Sequence, residues 1–408
     1  MSDFGAFRQS TAGLWICPFR PFFLLTALSA ALAVGWWLGV LAGVLPVPPA
    51  AGGPLVWHAH ELLFGFATAS IAGFLLTAVP EFTGGAGIDR RRLHLLVALW
   101  SAGRIAYALS GVLGVVPAAA CDIALLAGLL ASSAGPIWRQ PGRRHLAFVH
   151  ALVALIVVHA GFYRALATDG DALAWLRLAT GVIMVLIVVA LSRISMRLVN
   201  DVLAAQGGVP APYLARPPRR NLATFAIAAC SLAQFILPGN AVGGWLALAA
   251  AAALLNLLND WHVGRALGQR WVLIPYLVYW CMALGYGLIG AALLGAGLPV
   301  SAGEHLLLVG ALGLAVLIVM AVAGRMHSGW GLDHRPWLPV VAALLLAAGV
   351  LRSGAGWLFP GIDGAAVMLG AGGLWVAGWC LYLTRSWRVL AGPRPDGGKG
   401  CEEAAPAR

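Results

Sequence analysis

Residues 56–66 carry two histidines and a carboxylate within four positions, namely His58, His60 and Glu61. Imidazole nitrogens bind transition metals, and a neighbouring carboxylate can orient an imidazole or hold a proton. Because this stretch opens a long apolar segment, each of these polar groups is costly in hydrocarbon unless it has a partner. Metal ligation is one explanation; the alternative is a pair of interfacial histidines beside Trp57 in an aromatic belt.

Helical geometry separates the two imidazoles. In a helix that begins at His58, positions two residues apart point about 200° away from each other. His58 and His60 therefore cannot easily chelate one metal ion, although they can serve two different centres. Glu61 is three residues after His58 and shares the face of His58.

The composition excludes a soluble domain, because 61% of the 408 residues are hydrophobic and only 10% are charged. Apolar segments of about 20 residues, long enough to cross a bilayer as helices, recur along the chain. We predict an all-α, polytopic integral membrane protein with about twelve transmembrane helices, surrounded by lipid. The predicted spans are 22–44, 60–79, 93–116, 118–136, 145–166, 174–192, 222–237, 244–260, 272–294, 305–324, 337–357 and 365–384.

Basic residues alternate across the predicted connections. Of the 26 Lys and Arg residues, 22 fall in the two terminal segments or in every second connection. The remaining four are Arg104, Arg164, Arg177 and Arg352. Since connections rich in Lys and Arg stay on the cytoplasmic side, both termini are predicted to be cytoplasmic. The net charge of +11 is thereby explained by topology, and no nucleic-acid partner is expected.

The predicted domain organisation is a single transmembrane domain, residues 1–390, followed by a disordered cytoplasmic tail, 391–408. Gly and Pro residues concentrated in 193–221 indicate a hinge between two six-helix halves. The two halves show no convincing sequence repeat of the kind typical of transporters. The six cysteines include no C-x-x-C motif and are interpreted as small apolar packing residues.

The predicted topology assigns each histidine a depth in the membrane. His58 and His60 enter from the outer side, and His305 opens the tenth span on that same side, beside Glu304. His159 lies about fourteen residues into the fifth span, near or past the bilayer midplane toward the outer half. These positions predict an outer histidine cluster.

His327 belongs to the cytoplasmic side. It is 22 residues from His305 on one predicted helix, or roughly 33 Å at 1.5 Å per residue. The two histidines cannot share a metal ion, so any site that includes His327 is a separate, inner one.

Charged residues within the spans are scarce. Every Asp and Glu falls in a connection, in a tail or near a span end, which argues against a carboxylate relay in mid-membrane. Arg104 lies near the middle of the third span and needs an acidic or carbonyl partner, or a bound anion. An ion pair with a helix-end acid such as Glu61 is the favoured explanation.

Several motifs resemble those of the NnrS family of bacterial membrane proteins. The resemblance is strongest across residues 18–104 and continues more loosely to about 335. His305 and His327 match late histidines of the family, and His159 matches one in the fifth span. The motifs that carry the resemblance are Pro18-Phe19-Arg20-Pro21-Phe22-Phe23, Trp57-His58-Ala59-His60-Glu61, Phe64-Gly65-Phe66, Ala72-Gly73-Phe74-Leu75-Leu76-Thr77-Ala78-Val79-Pro80, Ala102-Gly103-Arg104 and His327-Ser328-Gly329.

This chain departs from the family pattern mainly on its cytoplasmic side. Glu81 and Phe82 stand where the family usually has Asn and Trp, and Ser328 and Trp330 replace Thr and Arg. A Pro-containing Phe-Phe-Thr motif that usually follows the sixth span is absent here.

The resemblance implies a haem- and copper-containing protein of the bacterial inner membrane, linked to nitric oxide metabolism and denitrification. It implies that metal ions are bound by His58, His60, His159, His305 and His327. It also offers haem propionates as a second possible partner for the guanidinium of Arg104. Loss of either His58 or His60 is then expected to remove one metal centre and leave the other.

Two functions are compatible with these expectations. In the first, the protein handles or detoxifies nitric oxide. If it is an enzyme, it reduces nitric oxide at a histidine-ligated metal site in the outer half of the membrane. Reduction needs an electron donor, which the sequence does not identify, and protons, for which Glu61 and Glu304 are the candidate donors. The alternative is a transporter or assembly factor for haem or copper, which twelve spans and a midpoint hinge would suit.

Overall fold

The computed structural model describes residues 13–143, 145–207, 212–358, 361, 363–398 and 400–401. Within these residues the chain is helical and contains no β-strand. Each of the predicted spans overlaps one long helix, so the all-α fold is confirmed. These helices are α1 Phe19–Leu41, α2 Gly53–Thr83, α3 Arg90–Ala108, α4 Val116–Arg139, α5 Leu146–Ala167, α6 Ala172–Ala205, α7 Pro217–Ile236, α8 Ala241–Leu258, α9 Arg270–Leu293, α10 Val300–Met326, α11 Trp337–Gly354 and α12 Gly364–Ala391.

Ten of these helices are long and apolar enough to cross a membrane. The two exceptions in the described part of the chain, α3 and α7, both begin with clustered arginines. The number twelve is therefore approximate. The protein is a multi-pass membrane protein.

Short-range signals position the helices that matter for the site. The side chain of Asp89 caps α3 by accepting a hydrogen bond from the Arg92 N–H at 2.9 Å, which pairs one of the N-terminal amides that have no intrahelical partner. Helix α2 begins with Pro at its first turn, where proline's missing N–H costs nothing. It ends at Gly84 in the left-handed conformation, a conformation that glycine adopts without strain.

The helices form two compact units. One unit comprises residues 1–176, 319–337 and 379–408, and the other comprises 177–318 and 338–378. In the first unit, α1 packs on α2, and α4 packs on α2, α3 and α5. In the second unit, α8 packs on α7 and α9, and α9 packs on the first half of α10.

The predicted division into two six-helix halves is not the same partition as these units, and it stays a prediction. The predicted hinge, 193–221, includes residues 208–211, which lie outside the described residues. The tail predicted to be disordered, 391–408, lies outside the described residues at 399 and 402–408.

Candidate functional site

Helix α2 changes its winding directly after His60. Residues Gly53–His60 are α-helical, Glu61–Ala67 form a π-helical segment, and the α-helix resumes at Thr68. Short π-helical segments within α-helices are frequent at functional sites. The carbonyl of Gly65 in this segment accepts a hydrogen bond from Trp100 Nε1 at 3.0 Å, so α3 is tied to the irregular turn.

His60 is fully buried and uses both ring nitrogens. Nε2 lies 3.0 Å from Tyr163 Oη, and Nδ1 lies 3.2 Å from Arg104 Nη1 and 3.1 Å from Glu61 Oε1. Tyr163 donates its own proton to Asp122 Oδ2 at 2.5 Å. His60 Nε2 is therefore the donor toward Tyr163, and Nδ1 lies between the guanidinium of Arg104 and the carboxylate of Glu61.

Arg104 links two buried carboxylates. Its Nη1 lies 3.1 Å from Glu61 Oε1, and its Nη2 donates directly to Asp122 Oδ1. The predicted ion pair with Glu61 is confirmed. A guanidinium presents several donors in one plane, so a single arginine can serve both acids.

Asp122 and Tyr163 are the residues that the sequence reasoning missed. Asp122 lies in α4 and is only 2% exposed. Because it is five residues into a predicted span, its position in the sequence places it only among the acids near span ends. Its pairing with Arg104 and Tyr163 corrects that interpretation, and an acid one turn inside an apolar helix was the signal that could have revealed it.

His159 lies beside this network with one ring nitrogen uncommitted. It is 1% exposed, and its ring stacks on Phe64 with centroids 3.5 Å apart. Nδ1 hydrogen-bonds with the Leu155 carbonyl at 2.7 Å, whereas Nε2 is buried without a hydrogen-bond partner. A carbonyl that holds the Nδ1 proton leaves a lone pair on Nε2, which is the tautomer that metal-ligating histidines use.

His58 points elsewhere. Its ring is half-buried and stacks on Trp37 of α1 with centroids 4.6 Å apart. The ring of His60 instead stacks on Tyr107 of α3 with centroids 3.5 Å apart. The prediction that the two imidazoles face different sides is confirmed.

The second unit contains His305 and Glu304. His305 Nδ1 hydrogen-bonds with the Ser301 carbonyl at 2.7 Å, which repeats the arrangement of His159. Glu304 Oε1 accepts a hydrogen bond from Arg177 Nε at 2.8 Å. The predicted neighbourhood of His305 and residues 57–61 stays a prediction.

A short local pattern surrounds His60 and His305. Both histidines are the last α-helical residue before a seven-residue π-helical segment, Glu61–Ala67 and Leu306–Leu312. Both begin the pattern His-X-Leu-Leu-X-Gly, at 60–65 and at 305–310. The pattern covers only six residues, so it is too short to be the kind of repeat that is typical of transporters.

His327 lies in the first unit, at the end of α10. Its Nε2 is 3.5 Å from Glu81 Oε2, and its Nδ1 is 2.8 Å from the Cys401 carbonyl oxygen. Cys401 is joined to Cys17 by a disulfide bond. This bond shows that the interpretation of Cys17 and Cys401 as packing residues was wrong. The pairing was not foreseen, because cysteines 384 positions apart in the chain cannot be paired from sequence alone.

Within the described ranges, no three His, Cys, Asp or Glu side chains converge as a ready metal site. The candidate ligands instead stand singly, and a single histidine of this kind could hold a haem iron. The orphaned Nε2 of His159 is the atom that best suits such a role.

The NnrS protein family model matches residues 13–394 of the chain. No curated protein matches it significantly. The family match spans both compact units and includes every candidate residue described above, so this chain belongs to the NnrS family.

Proposed function

We propose that this protein handles nitric oxide in the inner membrane of a bacterium, with both termini in the cytoplasm and with haem and copper held by histidines. Membership of the NnrS family supports the link to nitric oxide. The observation that carries the proposal is the buried Nε2 of His159, which has no hydrogen-bond partner. A buried polar atom without a partner costs about 1–3 kcal/mol, and ligation would remove this cost.

His159 and His305 are the preferred ligands. Each is oriented by a backbone carbonyl at 2.7 Å from Nδ1, which leaves Nε2 for an iron or copper ion. His58 and His327 are further candidates. Ligation by His60 would require the loss of its contact with Tyr163 or Arg104.

The bound metals would supply nitric oxide binding and, in a reductase, electron transfer. Nitric oxide is small and neutral, so it can enter from the bilayer without a charged pocket. Reduction of two nitric oxide molecules to nitrous oxide and water consumes two electrons and two protons. Glu61 and Glu304, each paired with an arginine, are the candidate proton donors, and a separate protein must supply the electrons.

The test is optical and metal analysis of the purified protein. We expect stoichiometric haem with a Soret band that shifts when nitric oxide is added. His159→Ala should abolish or shift this band, or remove one equivalent of metal. The matched control is His150→Ala, because His150 lies on the same helix but is exposed.

A folded protein without haem or copper would contradict the proposal. If His159→Ala and His150→Ala have the same spectrum and metal content, His159 is not a ligand, although the proposed function is not contradicted. Haem that is bound weakly and passed to an acceptor protein would favour the alternative, a haem or copper transporter or assembly factor.

A further inference from the structure

The C-terminal segment is tied to the start of α1. The Gly13 N–H donates to the Ala391 carbonyl at 2.9 Å. Arg20 Nη1 donates to the carbonyls of Gly13, Leu390 and Gly392 at 3.0, 3.2 and 2.7 Å. Arg20 is fully buried, and the carbonyls of Leu390 and Gly392 at the C-terminal end of α12 partly compensate its charge. We call residues 391–398 and 400–401 the C-terminal strap.

Two glycines, Gly13 and Gly329, allow the strap to lie close against the backbone. A Cβ atom on Gly13 would collide with the Gly392 carbonyl and with Arg20. Gly329 has a φ of +77°, and a Cβ atom there would lie 2.6 Å from the Asp396 carboxylate. The strap is therefore fitted against the backbone at two separate points.

The strap also covers His327. Arg394 Nη1 donates to the carbonyls of His327 and Gly400, both at 2.8 Å. The Cys401 carbonyl lies 2.8 Å from His327 Nδ1. Release of the strap would remove the Cys401 contact of this nitrogen.

One covalent bond fastens the end of the strap. Cys17 and Cys401 form a disulfide with a Cα–Cα distance of 5.3 Å, within the usual range of about 4.4–6.8 Å. Cys17 is fully buried, whereas Cys401 is half-buried. We therefore expect a reductant to attack at Cys401 and not at Cys17.

We propose that Cys17 and Cys401 are a reversible thiol–disulfide modification site that fastens and releases the C-terminal strap. The proposed cytoplasmic termini place this pair in a compartment where structural disulfides are rare and those that form are usually transient or redox-sensing. The site does not depend on bound haem or copper.

The reductant is a dithiol. One of its thiolates attacks Cys401 Sγ, the bond to Cys17 breaks, and Cys17 leaves as a thiolate that takes up a proton. The second thiol of the reductant then displaces Cys401 from the mixed disulfide, and the reductant leaves as a disulfide. Two electrons and two protons are thus transferred to the pair. Exchange with a low-molecular-weight disulfide such as oxidised glutathione reverses the reaction.

The first experiment maps disulfides in the purified full-length chain after treatment with oxidised glutathione or dithiothreitol. We expect a Cys17–Cys401 crosslinked peptide in the oxidised sample and its loss in the reduced one. Cys401→Ser should abolish the crosslink, whereas Cys380→Ser should not, since Cys380 is an exposed free cysteine. A folded protein that never forms the crosslink in oxidant would overturn the proposal.

The second experiment measures hydrogen exchange of the strap and of residues 13–20 in both redox states. Loss of the crosslink should raise exchange there by about tenfold or more, with no change in α4. Cys17→Ser should exchange like the reduced protein under both conditions. Equal exchange in the oxidised and reduced protein would show that the bond does not control the strap, and would also overturn the proposal.

Discussion

At the scale of single residues, the buried network depends on Arg104. Glu61 and Asp122 are 8% and 2% exposed, and two carboxylates this deeply buried would repel each other without a cation between them. The sequence predicted the pair of Arg104 with Glu61, since an arginine in mid-span needs a partner and Glu61 is an acid at a helix end. It did not reveal Asp122, because the turn of α4 that faces Arg104 depends on how α3 and α4 pack.

Arg104→Met should therefore unfold at markedly lower temperature than the unaltered protein. Methionine keeps an unbranched apolar stem but leaves both carboxylates without a cation, and breaking a buried pair in this way costs about 3–5 kcal/mol. Thermal unfolding in detergent measures the loss. Adding Glu61→Gln and Asp122→Asn to the same variant should recover part of it.

Arg177→Met is the matched control. It removes an arginine from the pair with Glu304, whose side chains are 53% and 21% exposed, and such exposed pairs contribute about 0–1 kcal/mol. Equal destabilisation by the two methionine substitutions would refute the central role of Arg104.

At the scale of helices, close packing depends on glycines at the crossing of α3 and α4. A Cβ atom on Gly103 would collide with the Asp122 carboxylate, so glycine at this position lets α4 bring Asp122 against Arg104. The π-helical segments after His60 and His305 are a second feature at this scale. Both overlap the shared pattern His-X-Leu-Leu-X-Gly, but apolar periodicity did not predict them, since a π turn differs from an α turn only in which carbonyl each N–H reaches.

Gly103→Ala is expected to destabilise the protein by about 1–3 kcal/mol, because the carboxylate must move away from Arg104 to admit the methyl group. Gly35→Ala, in α1, meets no atom within 4 Å and should be neutral or stabilising by about 0.5–1 kcal/mol. Chemical unfolding of the two variants distinguishes the cases. A neutral Gly103→Ala would mean that the two helices are farther apart than described.

At the scale of the whole molecule, the open question is whether α3 crosses the bilayer. Its arginines make it too polar by composition, yet Arg104 is neutralised by Glu61 and Asp122, and Arg90, Arg91 and Arg92 lie at its end. Paired charges and charges at helix ends cost much less in a membrane than isolated ones at the centre. We therefore expect α3 to span the membrane.

Accessibility tags inserted at residue 86 and at residue 114, before and after α3, should report opposite sides of the membrane. A tag at residue 141, after α4, should report the same side as residue 86. Labelling of intact cells detects tags on the outer side, and labelling of inverted vesicles detects tags on the cytoplasmic side. Residues 86 and 114 on one side would show that α3 does not cross.

The sequence by itself determined the membrane class, the approximate number of helices and the different directions of His58 and His60. These properties follow from composition and helical periodicity, which act over a few residues. Only the tertiary structure decided that Asp122 and Tyr163 complete the network, that Nε2 of His159 is buried without a partner, and that Cys17 meets Cys401. Each of these depends on contacts between helices far apart in the chain, and the packing that creates them has no local signature in the sequence.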